Sequence, residues 1–110
     1  MYIVILSSAI KKSHVIDYDS LEKSAIEFTP QVIFGGGMTY SRDIDWQRLR
    51  KIADKSGSVL VANISSTAGL IATGHLSSPF KFTDVVITSS SGSLRGPKGA
   101  MIFYKVGLKG

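Results

Sequence analysis

The chain has no cysteine among its 110 residues. That excludes disulfide staples, thiolate nucleophiles and cysteine-ligated zinc, and it fits a reducing compartment. Histidine is nearly as scarce. His14 and His75 are the two present, and neither has a carboxylate or a second histidine at ligand spacing, so no metal site and no histidine catalysis are expected. No apolar run approaches the ~18 residues that a membrane-spanning helix needs. The apolar opening at residues 2–6 is too short for a signal sequence and has no basic segment before it, so it reads as a buried strand. The expected setting is intracellular, in the cytoplasm or an organellar matrix, with no membrane partner.

What is present is a globular balance: 44% apolar residues against 19% charged, a ratio that supports a packed core rather than disorder. Residues 1–110 read as one domain, long enough to bury roughly 65% of the surface of the unfolded chain. The net charge is +5, but the cations are dispersed: Lys11, Lys12, Arg48, Arg50, Lys51, Lys81, Arg95, Lys98, Lys105 and Lys109. No aromatic side chains interleave with them in a stacking pattern. A mildly basic solvated surface is expected, and no nucleic-acid partner.

Four short apolar runs, at residues 31–35, 58–63, 84–88 and 100–105, lack polar alternation and suit strands buried on both faces of a sheet. Helical patterns lie between them. Asp19 followed by Glu22 predicts a capped start, with Leu21, Ala25 and Phe28 on one face and Pro30 as the stop. A second helix is predicted over 45–56, burying Trp46, Leu49, Ile52 and Ala53 and ending at Gly57, and a third, shorter one over 68–72. Alternating strands and helices predict an α/β fold built from parallel units. Residues 89–99 form a Ser/Gly/Pro-rich loop, too irregular for a crossover helix, so the last strand is expected to run antiparallel to its neighbour.

Ligands of open α/β sheets bind at the carboxyl ends of the strands. Those ends are residues 35–42, 63–69 and 88–99. The run Gly35-Gly36-Gly37 lacks the Lys-Ser/Thr of a phosphate loop and the spacing of a dinucleotide fingerprint; it reads as a tight strand exit. Asp43 and Asp45 read as helix-start residues. Ser89, Ser90, Ser91 and Ser93 have no nucleophile-elbow context, and no histidine is placed to serve them, so they read as a polar loop.

Several segments together carry a resemblance. Ile16-Asp17-Tyr18-Asp19-Ser20-Leu21-Glu22, Tyr40-Ser41-Arg42, Asp45-Trp46 and Leu49-Arg50-Lys51-Ile52-Ala53-Asp54 resemble the large domain of serine hydroxymethyltransferases. So do Ala68-Gly69-Leu70, Gly74, Ser78-Pro79-Phe80, Asp84-Val85-Val86 and Leu94-Arg95-Gly96-Pro97-Lys98-Gly99. The matches run in order from about residue 14 to 104. The resemblance implies a truncated part of the aspartate-aminotransferase-like large domain (pyridoxal phosphate fold type I), a mainly parallel sheet whose final strand is antiparallel.

The same resemblance implies that the cofactor site is lost. The family's Thr-His-Lys-Thr-Leu segment, whose lysine forms the Schiff base with pyridoxal phosphate, corresponds to Ser90-Ser91-Gly92-Ser93-Leu94. Gly92 has no amine, and Ser91 stands at the histidine. The family's Asp-x-Ala-His segment corresponds to Asn63-Ile64-Ser65-Ser66, which puts Asn63 where a carboxylate meets the pyridinium nitrogen and Ser66 where a histidine lies against the ring. Met38 replaces a serine beside the cofactor. Five changes in one pocket imply a pseudoenzyme: no catalytic residue, no cofactor, and a role in protein–protein interaction or as a structural subunit. The alternative is a fragment or subunit of a pyridoxal-phosphate-dependent enzyme interconverting serine and glycine with tetrahydrofolate, its lysine supplied by a partner. Missing family segments predict an unpaired strand edge along residues 2–6. They also predict a homo-oligomer, or a hetero-complex with a full-length relative or a larger assembly, burying on the order of 1,000 Å².

Overall fold

The computed structural model describes residues 3–5, 15–36, 40 and 42–107. His14 and Met38 lie outside the described residues. Five strands, β1 (Ile3–Ile5), β2 (Val32–Gly36), β3 (Val59–Asn63), β4 (Val85–Ser89) and β5 (Ala100–Tyr104), form one sheet in the spatial order β1-β2-β3-β4-β5. The first four are parallel, with Val32 opposite Val59 and Val61 opposite Val85. β5 runs antiparallel to β4, pairing Val85 with Tyr104 and Ile87 with Ile102. The mainly parallel sheet with a final antiparallel strand is the predicted architecture.

Among the described residues three helices connect the strands: α1 (Tyr18–Phe28), α2 (Trp46–Ser56) and α3 (Ala68–Ala72). α2 starts where the Asp45 side chain accepts from the Arg48 N–H at 3.0 Å, which satisfies one of the free donors of the first turn. It ends at Gly57 in the left-handed conformation. Asp17, not Asp19, caps α1, its carboxylate taking the Ser20 N–H and Oγ. Asp19 and Glu22 point instead at α2, pairing with Arg48 and Lys55. Two cap-type residues two positions apart made both starts possible, and Asp19 is drawn instead into the ion pair with Arg48 of α2.

The strands advance across the sheet in one direction. Crossovers of one hand then place their helices on one face. The core lies there: Ile33, Leu60, Ala62 and Val86 of the sheet meet Leu21 and Ala25 of α1 and Leu49, Ile52 and Ala53 of α2, with Trp46 buried as expected. Phe28 does not join this face; it is 62% exposed. Its helical angle is right, but at the last turn of α1 the ring stays largely in solvent.

The expectation that the strands are buried on both faces holds for the middle of β3, where Leu60, Val61 and Ala62 are all buried, and is corrected for β2, β4 and β5. Burial alternates along β2 and β4, with Ile33, Gly35, Val86 and Thr88 buried and their neighbours only half-buried. Across the opposite face the register aligns Phe34, Val61, Val85 and Tyr104 in one row, and Val32 with Val59 in another. No helix among the described residues packs on these rows. Val59 is 44%, Ile102 64% and Tyr104 71% exposed.

One ion pair binds α2 to the sheet. Arg50 Nη1 donates to Asp84 Oδ2 at 2.9 Å and to the Phe82 carbonyl, and Asp84 Oδ2 also takes the Leu60 N–H at 2.8 Å. Burial pushes the Asp84 carboxyl up, but the Leu60 N–H and the Arg50 guanidinium outweigh it and hold it below the usual range.

Candidate functional site

The carboxyl ends of β2, β3 and β4 meet at one end of the sheet, and four of the five singled-out positions lie there. β2 leaves the sheet at Gly36, whose φ is +107°. A Cβ at Gly36 would stand 2.0 Å from the Asn63 carbonyl oxygen, so a side chain is excluded by both conformation and space. Gly36 is thus a tight strand exit, as the sequence suggests, while Gly37 lies outside the described residues.

Asn63 ends β3 and turns the chain. Its Oδ1 accepts from the Ser65 N–H at 3.1 Å and from Ser65 Oγ at 2.8 Å, an Asx turn built by its own sequence. Ser65 Oγ in turn accepts from the Ser89 N–H at 3.0 Å. A continuous path of hydrogen bonds therefore runs from β4 through Ser65 to the side chain of Asn63. Ser65 is the residue that sequence reading missed. The signal was present, since a serine two positions after an Asn suits the Asx turn, but its long-range partner is set by register.

The 89–99 loop folds over the same end. Ser90 N–H donates to the Gly99 carbonyl at 3.0 Å, Ser90 Oγ donates to the Pro97 carbonyl at 2.7 Å, and Gly96 N–H returns to the Ser90 carbonyl at 2.7 Å. Ser93 Oγ accepts from the Gly69 N–H at 3.0 Å, at the start of α3. Gly92 is pressed against the β3 exit: a Cβ there would stand 2.7 Å from the Ser65 carbonyl oxygen and 3.1 Å from Ser89 Oγ. Ser66 and Ser91 are exposed. The structure therefore brings both Asn63 and Gly92 against Ser65, whose Oγ also ties the β3 exit to Ser89.

Beside this closure lies a small cleft lined by Gly36, Tyr40, Arg42, Asn63, Thr67 and Asp43. Asp43 is already engaged, taking the Ser77 N–H at 3.2 Å and its hydroxyl. His75 is exposed and its Nδ1 meets Thr73 Oγ1 at 2.9 Å, away from the serine loop. Among the described residues no cluster of three or more His, Cys, Asp or Glu stands ready for a metal. No helix among them is long and apolar enough to cross a membrane.

The family model described as serine hydroxymethyltransferase matches residues 1–110. A mitochondrial serine hydroxymethyltransferase of Schizosaccharomyces pombe is 46% identical over 99 residues, covering 90% of this chain and 20% of the relative. A cytosolic one of Saccharomyces cerevisiae is 48% identical over 95 residues, covering 86% and 20%. A cytosolic one of Neurospora crassa reaches 50% over 95 residues, again 86% and 20%. The chain spans about a fifth of the length of the curated relatives it matches.

Proposed function

This chain belongs to the serine hydroxymethyltransferase family, and from that premise we propose that it is a non-catalytic member which acts through association with another polypeptide. The observation that carries the reading is the closure at Gly92. The family resemblance aligns this position with the lysine that holds pyridoxal phosphate, and here it offers no amine. A Cβ placed on it meets the Ser65 backbone oxygen at 2.7 Å, a contact that only a backbone shift relieves. The loop is packed for glycine.

The other aligned positions point the same way. Pyridoxal phosphate serves as an electron sink when a carboxylate keeps its ring nitrogen protonated. Asn63 is neutral, and its oxygen is occupied by the Ser65 N–H and hydroxyl. Ser66 and Ser91 present hydroxyls in place of imidazoles. These residues do not fit the cofactor.

The test is a titration of the purified chain with pyridoxal phosphate, followed by borohydride reduction and peptide mapping. The expected result is no absorbance band from a bound cofactor and only scattered labelling of surface lysines. Gly92→Lys, tested in parallel, is not expected to restore a site, because its Cβ enters the same backbone oxygen. A stoichiometric adduct at one buried lysine of the natural chain overturns the reading and favours a working fragment of the enzyme.

A further inference from the structure

We infer that the outer edge of β5 is a self-pairing surface, where two copies of this chain join antiparallel about a two-fold axis at Ile102 and continue their five-stranded sheets into one. The inference rests on the association half of the proposed function and names its surface and its partner. β5 ends the strand order, and its pairing with β4 fixes which of its backbone groups are already bonded. Ser90 N–H donates to the Gly99 carbonyl at 3.0 Å, and Lys105 N–H to the Asp84 carbonyl at 3.2 Å. Between them the register runs unbroken, from Ser89 opposite Ala100 to Val85 opposite Tyr104. Bonded and unbonded positions alternate along an antiparallel pair, so Met101 and Phe103 turn their N–H and C=O groups towards β4. Ala100, Ile102 and Tyr104 turn theirs outwards, and among the described residues no strand receives them.

Edge strands are commonly blunted by charge, proline or a bulge. Ala100-Met101-Ile102-Phe103-Tyr104 carries none of these, and all five residues are exposed. The same residues are complementary to themselves, which selects a second copy as the partner. With Ile102 opposite Ile102, every outward N–H and C=O finds a partner, and Tyr104 of one copy faces Ala100 of the other, a large side chain against a small one. Met101 faces Phe103 in the non-hydrogen-bonded positions, where side chains approach most closely, and a thioether beside an aromatic ring is a favourable contact. Lys98 then falls opposite Val106 and Lys105 opposite Gly99, so no cation meets a cation across the pair. The contact is short. A strand of five residues is ~17 Å long, and the area it covers lies well under the ~800 Å² per partner of a standard interface, so the dimer is weak and concentration-dependent. The charge of +5 on each copy opposes association at low salt, and physiological ionic strength screens it beyond ~8 Å.

Sedimentation of the full chain from about 1 μM to about 1 mM, at ~0.15 M salt, should show monomer passing to dimer. Over the same range, hydrogen exchange read amide by amide should slow at Ala100, Ile102 and Tyr104, while Met101 and Phe103 stay protected at every concentration. Residue 102 meets itself on the axis, so Ile102→Lys and Ile102→Glu should each be monomeric, and an equal mixture of the two should regain the dimer mass. Ile102 is 64% exposed and its N–H is not used within the sheet of its own chain, so both variants keep the circular dichroism and melting temperature of the natural chain. A monomer at every concentration, a dimer that Ile102→Lys leaves intact, or a mixture that stays monomeric overturns the inference. So does exchange at Ala100, Ile102 and Tyr104 that is indifferent to concentration. If either variant fails to fold, the exchange pattern of the natural chain decides. Cofactor titration is read on the same chain whatever its oligomeric state, so a strict monomer overturns the pairing and leaves the loss of the cofactor site standing.

Discussion

At the scale of single residues, two positions decide how the chain is closed and what it can bind. Gly92 sits where any side chain strikes the Ser65 carbonyl. Gly92→Ala is therefore expected to destabilise the chain by about 1–3 kcal/mol through local overpacking, read as a lower thermal midpoint with unchanged secondary structure. Asp84 is the other. Its carboxyl is raised by burial and lowered more strongly by the Leu60 N–H and Arg50, so its folded value lies below the unfolded one of about 3.9. A depressed carboxyl stabilises the fold above the unfolded value, and that stability is lost as pH falls through the folded value. Urea midpoints followed from pH 7 downward should decline below about pH 4. Asp84→Asn should start lower by about 1.5–3 kcal/mol, the worth of a hydrogen-bonded charge, and decline less steeply. Parallel curves for the two proteins would remove Asp84 from the acid response.

At the scale of elements, the legible parts of the sequence were those governed by local chemistry. The cap at Asp45, the apolar stripe through Trp46, Leu49, Ile52 and Ala53, and the stop at Gly57 all lie within one helix, and α2 forms as its pattern predicts. α3 matches for the same reason, and the strands are displaced by a residue at most points. α1 was less legible because its start was contested. Asp17 and Asp19 are equally good caps by type, and Lys55 and Arg48, far along the chain, settle the matter by claiming Glu22 and Asp19. Phe28 shows the other limit, since a helical angle does not reveal how far the ring is covered. Around the candidate site, the residue types were readable but their closure was not, because the path from Ser89 to Ser65 to Asn63 exists only once β3 and β4 are in register. Trp46→Ala should cost about 3–5 kcal/mol, as for a large buried aromatic, and Asp45→Ala about 1 kcal/mol for the lost cap. Urea unfolding of the two variants checks both values. A loss of under 1 kcal/mol at Trp46 would contradict the core assignment.

At the scale of the whole molecule, the apolar strand runs and the one-sided helix layer have to be reconciled. The runs are apolar on both sides, yet β5 is exposed along all five of its residues. The sequence drew attention to residues 2–6 as the vulnerable edge. β1 does lie at one end of the strand order, but the exposure is clearest at the opposite end, where Ile102 and Tyr104 sit beside the half-buried Val85 and Ile87. A surface of this kind in a folded chain should attract an apolar dye without any loosening of the core, which separates it from a partly unfolded state. Anilinonaphthalene sulfonate fluorescence should therefore rise with the natural chain under native conditions, while near-ultraviolet circular dichroism from the buried Trp46 persists. Replacing Val59, Ile102 and Tyr104 with threonine keeps residues suited to strands and removes much of the exposed apolar area. The triple variant should lose most of the dye signal and keep the melting temperature within a few degrees. If the dye signal survives, the exposed apolar surface lies elsewhere, and if the melting temperature collapses, those side chains are already packed against something in the free chain.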